Sequence, residues 1–158
     1  MDYDKELEQR RHEEAVLQFE HFNNDDALAL GLKAVEIARE RKAAVVLEIE
    51  VNGIERFHVS LPGTNGRQCM WIRRKANTVR MAQISSYHAG QILKKNNNAD
   101  IAVAWGMSRD EYTDLGGAFP IAIKGTGIIG CFTCSGLTEE GDHQLIVDAI
   151  CAYLGVTL

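Results

Sequence analysis

A lysine on the apolar face of a predicted helix is the strongest candidate for chemistry in this 158-residue chain. Lys75 shares that face with four weakly polar or apolar residues: Trp71, Ile72, Ala76 and Val79. A buried ammonium group must bind a carboxylate or carbonyl oxygen, or else lose its proton. Two interpretations stay open. Lys75 forms a structural ion pair or a snorkelling stem, or it joins Arg73 and Arg74 in binding a carboxylate or phosphate.

A second candidate group surrounds His88, where the sequence predicts a bend or break in a long helix. Ser86 and His88 have the residue types of a nucleophile and its base, but no orienting acid or oxyanion loop accompanies them. His88 also has the side chain of a haem or metal ligand, although a single imidazole is a weak pattern. A packed or interfacial histidine is the favoured interpretation. The enzymatic alternative uses Lys75 and His88 as acid–base groups.

The third candidate group marks the start of the last predicted helix. Asp142 and His143 fall in or just before its first turn, where a carboxylate stabilises the positive end of the helix dipole. Gly136 precedes them and lets another backbone or a ligand come close, and free amides at a helix start bind anions. A pocket is therefore expected between this point and the long helix. The predicted ligand-binding residues are Arg73, Lys75, Ser86, His88, Gly136, Asp142 and His143.

The Cys131-x-x-Cys134 motif has the spacing of a metal or redox site. It lies in a predicted strand, however, and residues three apart on a strand point to opposite faces. The two thiols therefore do not share a metal or a disulfide. We expect both cysteines to be small buried residues, and we predict no metal site.

The elements that position these groups follow from hydrophobic periodicity. Asn52-Gly53 joins two stretches of period two, and Gly125-Thr126-Gly127 joins two apolar runs, so both predict β-hairpins. The predicted order is helix, hairpin, long helix, hairpin, helix: 26–41, 45–61, 67–95, 119–135 and a last helix that includes 146–154. Without βαβ repeats, this order predicts an α+β fold with helices packed on an antiparallel sheet.

Two local expectations depend on strand register and on an ambiguous stretch. Glu48 and Glu50 alternate with apolar residues, and across the first hairpin they are expected to face Arg56 and His58. Ile101–Trp105 fits either a short strand or a helix, and the surrounding residues 99–115 are otherwise hard to assign.

Composition limits the classes of partner. The net charge of −5 and the pI near 5.5 argue against a nucleic-acid or anionic-membrane surface. The charged start lacks a signal-peptide pattern, and four cysteines are too few for a disulfide scaffold. We expect a cytoplasmic protein with an amphipathic helical extension over 1–24 and a single domain over 25–158.

Several separated motifs resemble those of a known group of proteins: Trp71-Ile72-Arg73-Arg74-Lys75, Ser85-Ser86, Gly116-Gly117-Ala118-Phe119-Pro120-Ile121, and Ser135-Gly136-Leu137 followed by Asp142-His143. They resemble an uncharacterised branch of the haem-degrading-domain superfamily of GlcG- and HbpS-like proteins. The resemblance implies a profilin-like three-layer α/β/α fold, with a mostly antiparallel sheet of about five strands and homo-oligomeric assembly. It implies haem as a possible cofactor, but no settled activity.

The sequence therefore favours a non-catalytic, homo-oligomeric binding or accessory protein, with haem or a small anionic ligand as its cargo. The alternatives are an enzyme of unassigned reaction and a protein-interaction scaffold whose function is its assembly. No dense cluster of catalytic residue types appears at catalytic spacing, and this supports the first and last of these functions over the enzyme.

Overall fold

The computed structural model covers residues 1–158 and contains six helices and four strands. In chain order the elements are α1 (Tyr3–Val16), α2 (Asn24–Glu40), β1 (Val46–Val51), β2 (Ile54–Ser60), α3 (Gly66–Ala82), α4 (Ser86–Lys95), α5 (Ile101–Trp105), β3 (Ala118–Ile123), β4 (Gly127–Ser135) and α6 (Glu139–Leu154). No helix is both long enough and apolar enough to span a bilayer.

The four strands form one antiparallel sheet in the order β2-β1-β4-β3, so each predicted hairpin makes half of it. Asn52 and Gly53 join β1 to β2 with φ angles of 54° and 80°. Positive φ at both central residues is what a type I′ turn requires, and its twist matches that of the flanking strands. Both predicted hairpins are confirmed, and with them the α+β class.

Helices cover the two faces of the sheet. α2 and α6 pack on one face, where Leu47, Phe119 and Phe132 belong to the main hydrophobic core. α3 packs on the other face, where Ala76 and Val79 contact Ala118 and Cys131 in a smaller apolar cluster. Cys134 lies in the main core, so the two cysteines of the motif are on opposite faces and all cysteines are free.

The expectation of about five strands is wrong, because the sheet has four. Ile101–Trp105, the stretch that fitted either structure, is a five-residue helix. The Asp100 side chain caps it by accepting from the amide of Ala102 at 2.8 Å, and Gly106 ends it with a φ of 68°. Local capping therefore decides against a strand at this position.

The long helical stretch is two helices. α3 ends at Gln83, which has the left-handed φ of 61°, and α4 begins after Ser85, whose hydroxyl accepts from the amide of His88 at 3.1 Å. This break turns the chain, so α4 packs against α1 and α6 as well as against α3. The turn places Tyr87 and His88 in the contact between α4 and its neighbouring helices, where both are buried.

A β-bulge changes the register of the first hairpin. Glu48 lies opposite His58 as expected, but Glu50 lies opposite Glu55, and Arg56 has no partner in β1. The expected pairing of Glu50 with Arg56 is therefore wrong, since one extra residue in β2 shifts the pairing beyond Phe57. The bulge brings a third carboxylate, instead of a guanidinium, to the face that carries Glu48.

The N-terminal segment contributes to the core. α1 packs on α4, and after it Leu17 and Phe19 are almost completely buried in the main core. The Phe19 amide donates to the carbonyl of Ala122 at 2.8 Å, and the Lys124 amide donates to the carbonyl of Phe19 at 2.9 Å. Phe19 therefore pairs with the outer side of β3 through a single bridge.

Candidate ligand-binding groove

Lys75 is held in a buried ion pair. Its Nζ atom donates to Oδ2 of Asp142 at 2.8 Å and to the carbonyl of Cys134 at 3.1 Å, and both charged residues are at most 3% exposed. The other oxygen of Asp142 accepts from the amide of Leu137 at 2.9 Å. Of the two interpretations of Lys75, the structure contains the ion pair, and its partner is Asp142. An ammonium group has three N–H donors, so one donor of Lys75 has no protein partner.

A cleft of about 200 Å³ lies beside this pair, between α3 and the start of α6. Its lining combines apolar side chains with the buried charges: Trp71, Lys75, Leu115, Ser135, Leu137, Glu139 and Asp142. Glu139 is bound by Lys94 through Oε1, while its buried Oε2 has no hydrogen-bond partner. The cleft therefore offers one unmatched N–H donor and one unmatched carboxylate oxygen.

A larger cavity of about 370 Å³ adjoins this cleft and shares Trp71 and Leu115 with it. The Arg74 guanidinium lies 4.2 Å from the centre of the Trp71 ring and donates to the carbonyls of Arg109 and Tyr112. Arg109 itself forms an ion pair with Asp100. We call the two cavities together the Trp71 groove, because the indole stands between them.

Three of the seven predicted residues have structural contacts outside the groove. Arg73 is exposed and reaches only the carbonyl of Asp110, at 3.5 Å. The Ser86 hydroxyl is buried and accepts from the amide of Ala118 at 3.0 Å. Gly136 has a φ of 149°, and a Cβ there would lie 2.3 Å from the carbonyl oxygen of Ala44. Close approach of two backbones therefore requires glycine at this position.

The two predicted histidines are bound by consecutive glutamates of α1. His88 Nδ1 lies 3.0 Å from a carboxylate oxygen of Glu14, and His143 Nε2 lies 2.8 Å from Oε2 of Glu13. Both imidazoles are buried, and the His143 ring packs against Tyr87 at 4.8 Å between centroids. Of the seven predicted residues, the groove contains only Lys75 and Asp142.

Neither the two glutamates nor the larger cavity could be predicted from the sequence. Glu13 and Glu14 stand in a segment where most residues are charged, so nothing distinguishes them from solvated side chains. Tyr112 and Thr113 line the cavity from residues 99–115, which have no regular period. Arg74 was visible beside Lys75 on the same helix, and its stacking on Trp71 follows from their i, i+3 spacing.

A comparison of the sequence with protein families identifies the group to which it belongs. The model of a family described as "Haem degrading protein HbpS-like" matches residues 22–151. The chain belongs to the HbpS-like family. Among its relatives, this HbpS-like chain is 40% identical over 154 residues to a UPF0303 protein of Azotobacter vinelandii, covering 98% of the chain and 92% of that protein.

Solved structures share the fold of this HbpS-like chain. The crystal structure of Ybr137w protein superposes with a TM-score of 0.86 at 25% identity, covering 94% of this chain and 87% of that one. The crystal structure of a PduOC:heme complex superposes with a TM-score of 0.71 at 20% identity, covering 86% of this chain and 96% of that one. At 20% identity the second likeness concerns the fold alone.

The residues of the groove do not fit an imidazole-ligated haem in a single chain. None of the residues lining either cavity is a histidine. His88 and His143, the two buried histidines, are each bound to a glutamate and lie outside the groove. A haem iron in the groove would therefore lack a histidine ligand from this chain.

Proposed function

We propose that this protein is a non-catalytic binding or accessory protein that takes up a small anionic ligand in the Trp71 groove. The observation that carries this proposal is the environment of Arg74. Its guanidinium has no carboxylate within 4.0 Å and is bound only by carbonyl oxygens, beside the open indole of Trp71. The positive charge of Arg74 is thus balanced only by carbonyl dipoles, and it remains available to bind an anion.

The other basic side chains around the groove are already paired with carboxylates, which makes Arg74 the centre of the proposed site. Lys75 is paired with Asp142, Arg109 with Asp100, and Lys94 with Glu139. The unmatched N–H of Lys75 supplies a secondary hydrogen bond to the ligand. The larger cavity has a volume of about 370 Å³, within the usual range for small-molecule sites, and the adjoining cleft adds about 200 Å³. The ligand class is therefore an anion with a flat apolar part that stacks on Trp71.

A binding role fits the groove better than catalysis because the groove lacks a paired nucleophile and base. Ser135, Tyr112 and Thr113 are the hydroxyl-bearing residues that line it, and no histidine lies among the lining residues. Lys75 Nζ is engaged by the Asp142 carboxylate and the Cys134 carbonyl, so it is not free to act as a base. His88, the proposed partner of Lys75 in the enzymatic alternative, is bound to Glu14 outside the groove.

Haem is the second candidate ligand, favoured by the family match and by the haem complex of a structural neighbour. It would have to be bound without a histidine from the groove, or between subunits. The protein-interaction scaffold is the outcome that remains if neither ligand binds.

We further propose that the protein forms homo-oligomers through α2. Leu28 and Leu32 are 51% and 54% exposed, although they stand one helical turn apart on the same face. Burial of this pair in a second copy would remove apolar surface from water. Light scattering should give a mass of at least a dimer, and Leu28→Glu with Leu32→Glu should lower it. A wild-type mass of 17.5 kDa, that of one chain, would contradict the proposal.

Tryptophan fluorescence tests the ligand site. The chain has two tryptophans, so Trp105→Phe leaves Trp71 as the sole emitter. In that background, benzoate and phenyl phosphate should change the emission with saturable binding. Arg74→Met should weaken binding by about tenfold or more, as expected for loss of a charge-assisted hydrogen bond. Arg11→Met, at an exposed arginine on α1, is the matched control.

The outcomes separate the candidate functions. Equal binding by the Arg74→Met and Arg11→Met variants would overturn the Trp71 groove as the anion site. A hemin titration followed at the Soret band distinguishes haem from the smaller anions. If haem bound tightly and the aromatic anions did not, haem would replace them as the ligand. Absence of binding in both titrations would favour the interaction scaffold.

A further inference from the structure

A second candidate site lies on the open face of the first hairpin, away from the Trp71 groove. The bulge in β2 gives Glu55 the same sheet face as Glu48 and His58. One ligand atom from each of these three side chains lies within 4.8 Å of the other two. We call them the hairpin triad. Two carboxylates and one imidazole are a donor set for first-row divalent metal ions.

The spacing within the hairpin triad suits a metal ion. His58 Nδ1 lies 3.1 Å from Oε1 of Glu48 and 3.5 Å from Oε1 of Glu55. Two ligands bound at about 2.1 Å with a tetrahedral angle stand about 3.4 Å apart. Small side-chain movements would therefore admit an ion between the three atoms. The other ring nitrogen of His58 lies 3.3 Å from the Ser60 hydroxyl, a contact that orients the ring in the way outer partners of metal-bound histidines do.

The charges of the hairpin triad provide an argument independent of its spacing. Glu48 and Glu55 each have His58 as their sole ion-pair partner, and neither carboxylate has a lysine or arginine within 4.0 Å. Glu50, which is on the same face of β1 as Glu48, is paired with Arg80 from α3, at 3.5 Å. The bulge leaves Arg56 without a place opposite β1, so the triad lacks a permanent cation. A divalent ion would balance both carboxylates and bind the imidazole.

We propose that Glu48, Glu55 and His58 bind a divalent first-row transition-metal ion on the solvent side of the hairpin. β2 is an edge strand, and the Glu55 side chain is 61% exposed, so water completes the coordination. Three protein ligands with open positions resemble exchangeable metal sites more than closed structural ones.

Zinc titration of chelator-treated protein tests this proposal by calorimetry. We expect one zinc ion per chain and an increase in melting temperature, because a ligand that binds only the folded state stabilises it. His58→Gln and Glu55→Gln should each weaken binding by at least about tenfold. Glu36→Gln is the matched control, since its side chain is 59% exposed and lies on α2. Cys69→Ser removes the exposed thiol, which is an alternative zinc ligand.

Three results would overturn the metal site. The first is no zinc uptake at millimolar concentration. The second is uptake that the His58 and Glu55 substitutions leave unchanged. The third is uptake abolished by Cys69→Ser alone. Circular dichroism of each variant checks the fold, and both Gln substitutions are at exposed or partly exposed positions where folding should be retained. None of these outcomes depends on ligand binding in the Trp71 groove.

Discussion

Lys75 Nζ lies 2.8 Å from Asp142 Oδ2, and this contact joins α3 to the first turn of α6 across 67 residues of chain. The pair also touches the backbone at Gly117, where an added Cβ would lie 2.8 Å from Nζ and 2.4 Å from the carbonyl oxygen of Cys134. Two helices and the start of β3 therefore meet around one buried charge pair. The contribution of the Lys75–Asp142 pair to the free energy of unfolding can be measured without any ligand.

Lys75→Met should lower the free energy of unfolding by about 3–5 kcal/mol, because it leaves the Asp142 carboxylate buried without its counter-charge. Adding Asp142→Leu should recover part of this loss, since both charges are then gone. Urea denaturation measures each variant, and Lys33→Met at a partly exposed lysine on α2 is the control. A loss below about 1 kcal/mol for Lys75→Met would show that the pair contributes little.

Glu13→Ala should destabilise the protein by about 1–3 kcal/mol and loosen α1. It removes the acceptor of the buried His143 N–H and also the partner of Arg10, at 3.1 Å. Hydrogen exchange of α1 amides should accelerate in this variant. Glu8→Ala, at an exposed position on the same helix, should leave exchange unchanged. Equal exchange rates in the two variants would contradict this account of how α1 is held.

Cys131 and Cys134 should resist thiol reagents in the folded protein. Burial raises the pKa of Cys131 to about 12, and burial together with Asp142 raises that of Cys134, so neither forms the reactive thiolate near neutral pH. Cys69 is exposed and should react first with N-ethylmaleimide. Mass spectrometry of peptides labelled at pH 7.5, before and after addition of urea, checks this. Rapid labelling of Cys131 in the native state would refute it.

Two tyrosines should ionise late. Burial raises the pKa of both Tyr87 and Tyr153 from 10.0 to about 12, and the Tyr153 hydroxyl also donates to Asp26 at 2.6 Å. The folded state holds these protons more tightly, so their contribution to stability is complete below pH 10 and is lost as pH rises towards 12. Absorbance at 295 nm follows the titration. Tyr87→Phe and Tyr153→Phe should each remove one late-ionising group. Ionisation of both tyrosines near pH 10 would contradict this prediction.

The hairpins and the helix ends depend on turn and capping residues that are close together in the sequence. Asn52-Gly53 and Gly125-Thr126-Gly127 specify turns by their φ angles, so both hairpins could be predicted. The buried Lys75 was also visible, because a charge on an apolar helical face is rare. Its partner could not be found in this way, since Asp142 is 67 residues away and only the packing of α6 brings them together.

The candidate sites depended on features that have no sequence period. A bulge exchanges Arg56 for Glu55 on one sheet face, and nothing in the alternating pattern of β2 marks the residue at which the shift occurs. The larger cavity of the Trp71 groove is built by residues 99–115, whose course follows capping and carbonyl contacts to α3 instead of an apolar stripe. Tertiary contacts therefore determine the position of the bulge and the course of residues 99–115, which sequence patterns do not specify.

The bridge between Phe19 and β3 limits how copies of this chain can associate. β3 is one outer strand of the sheet, and Phe19 occupies hydrogen-bonding groups on its outer side, while Pro120 has no N–H to offer. The opposite outer strand, β2, is irregular at its bulge and carries charged side chains, which disfavour the addition of a further strand. Neither border of the sheet is therefore suited to continuous sheet formation between molecules. Any contact between copies of this chain is therefore expected to use side-chain packing instead of a shared sheet.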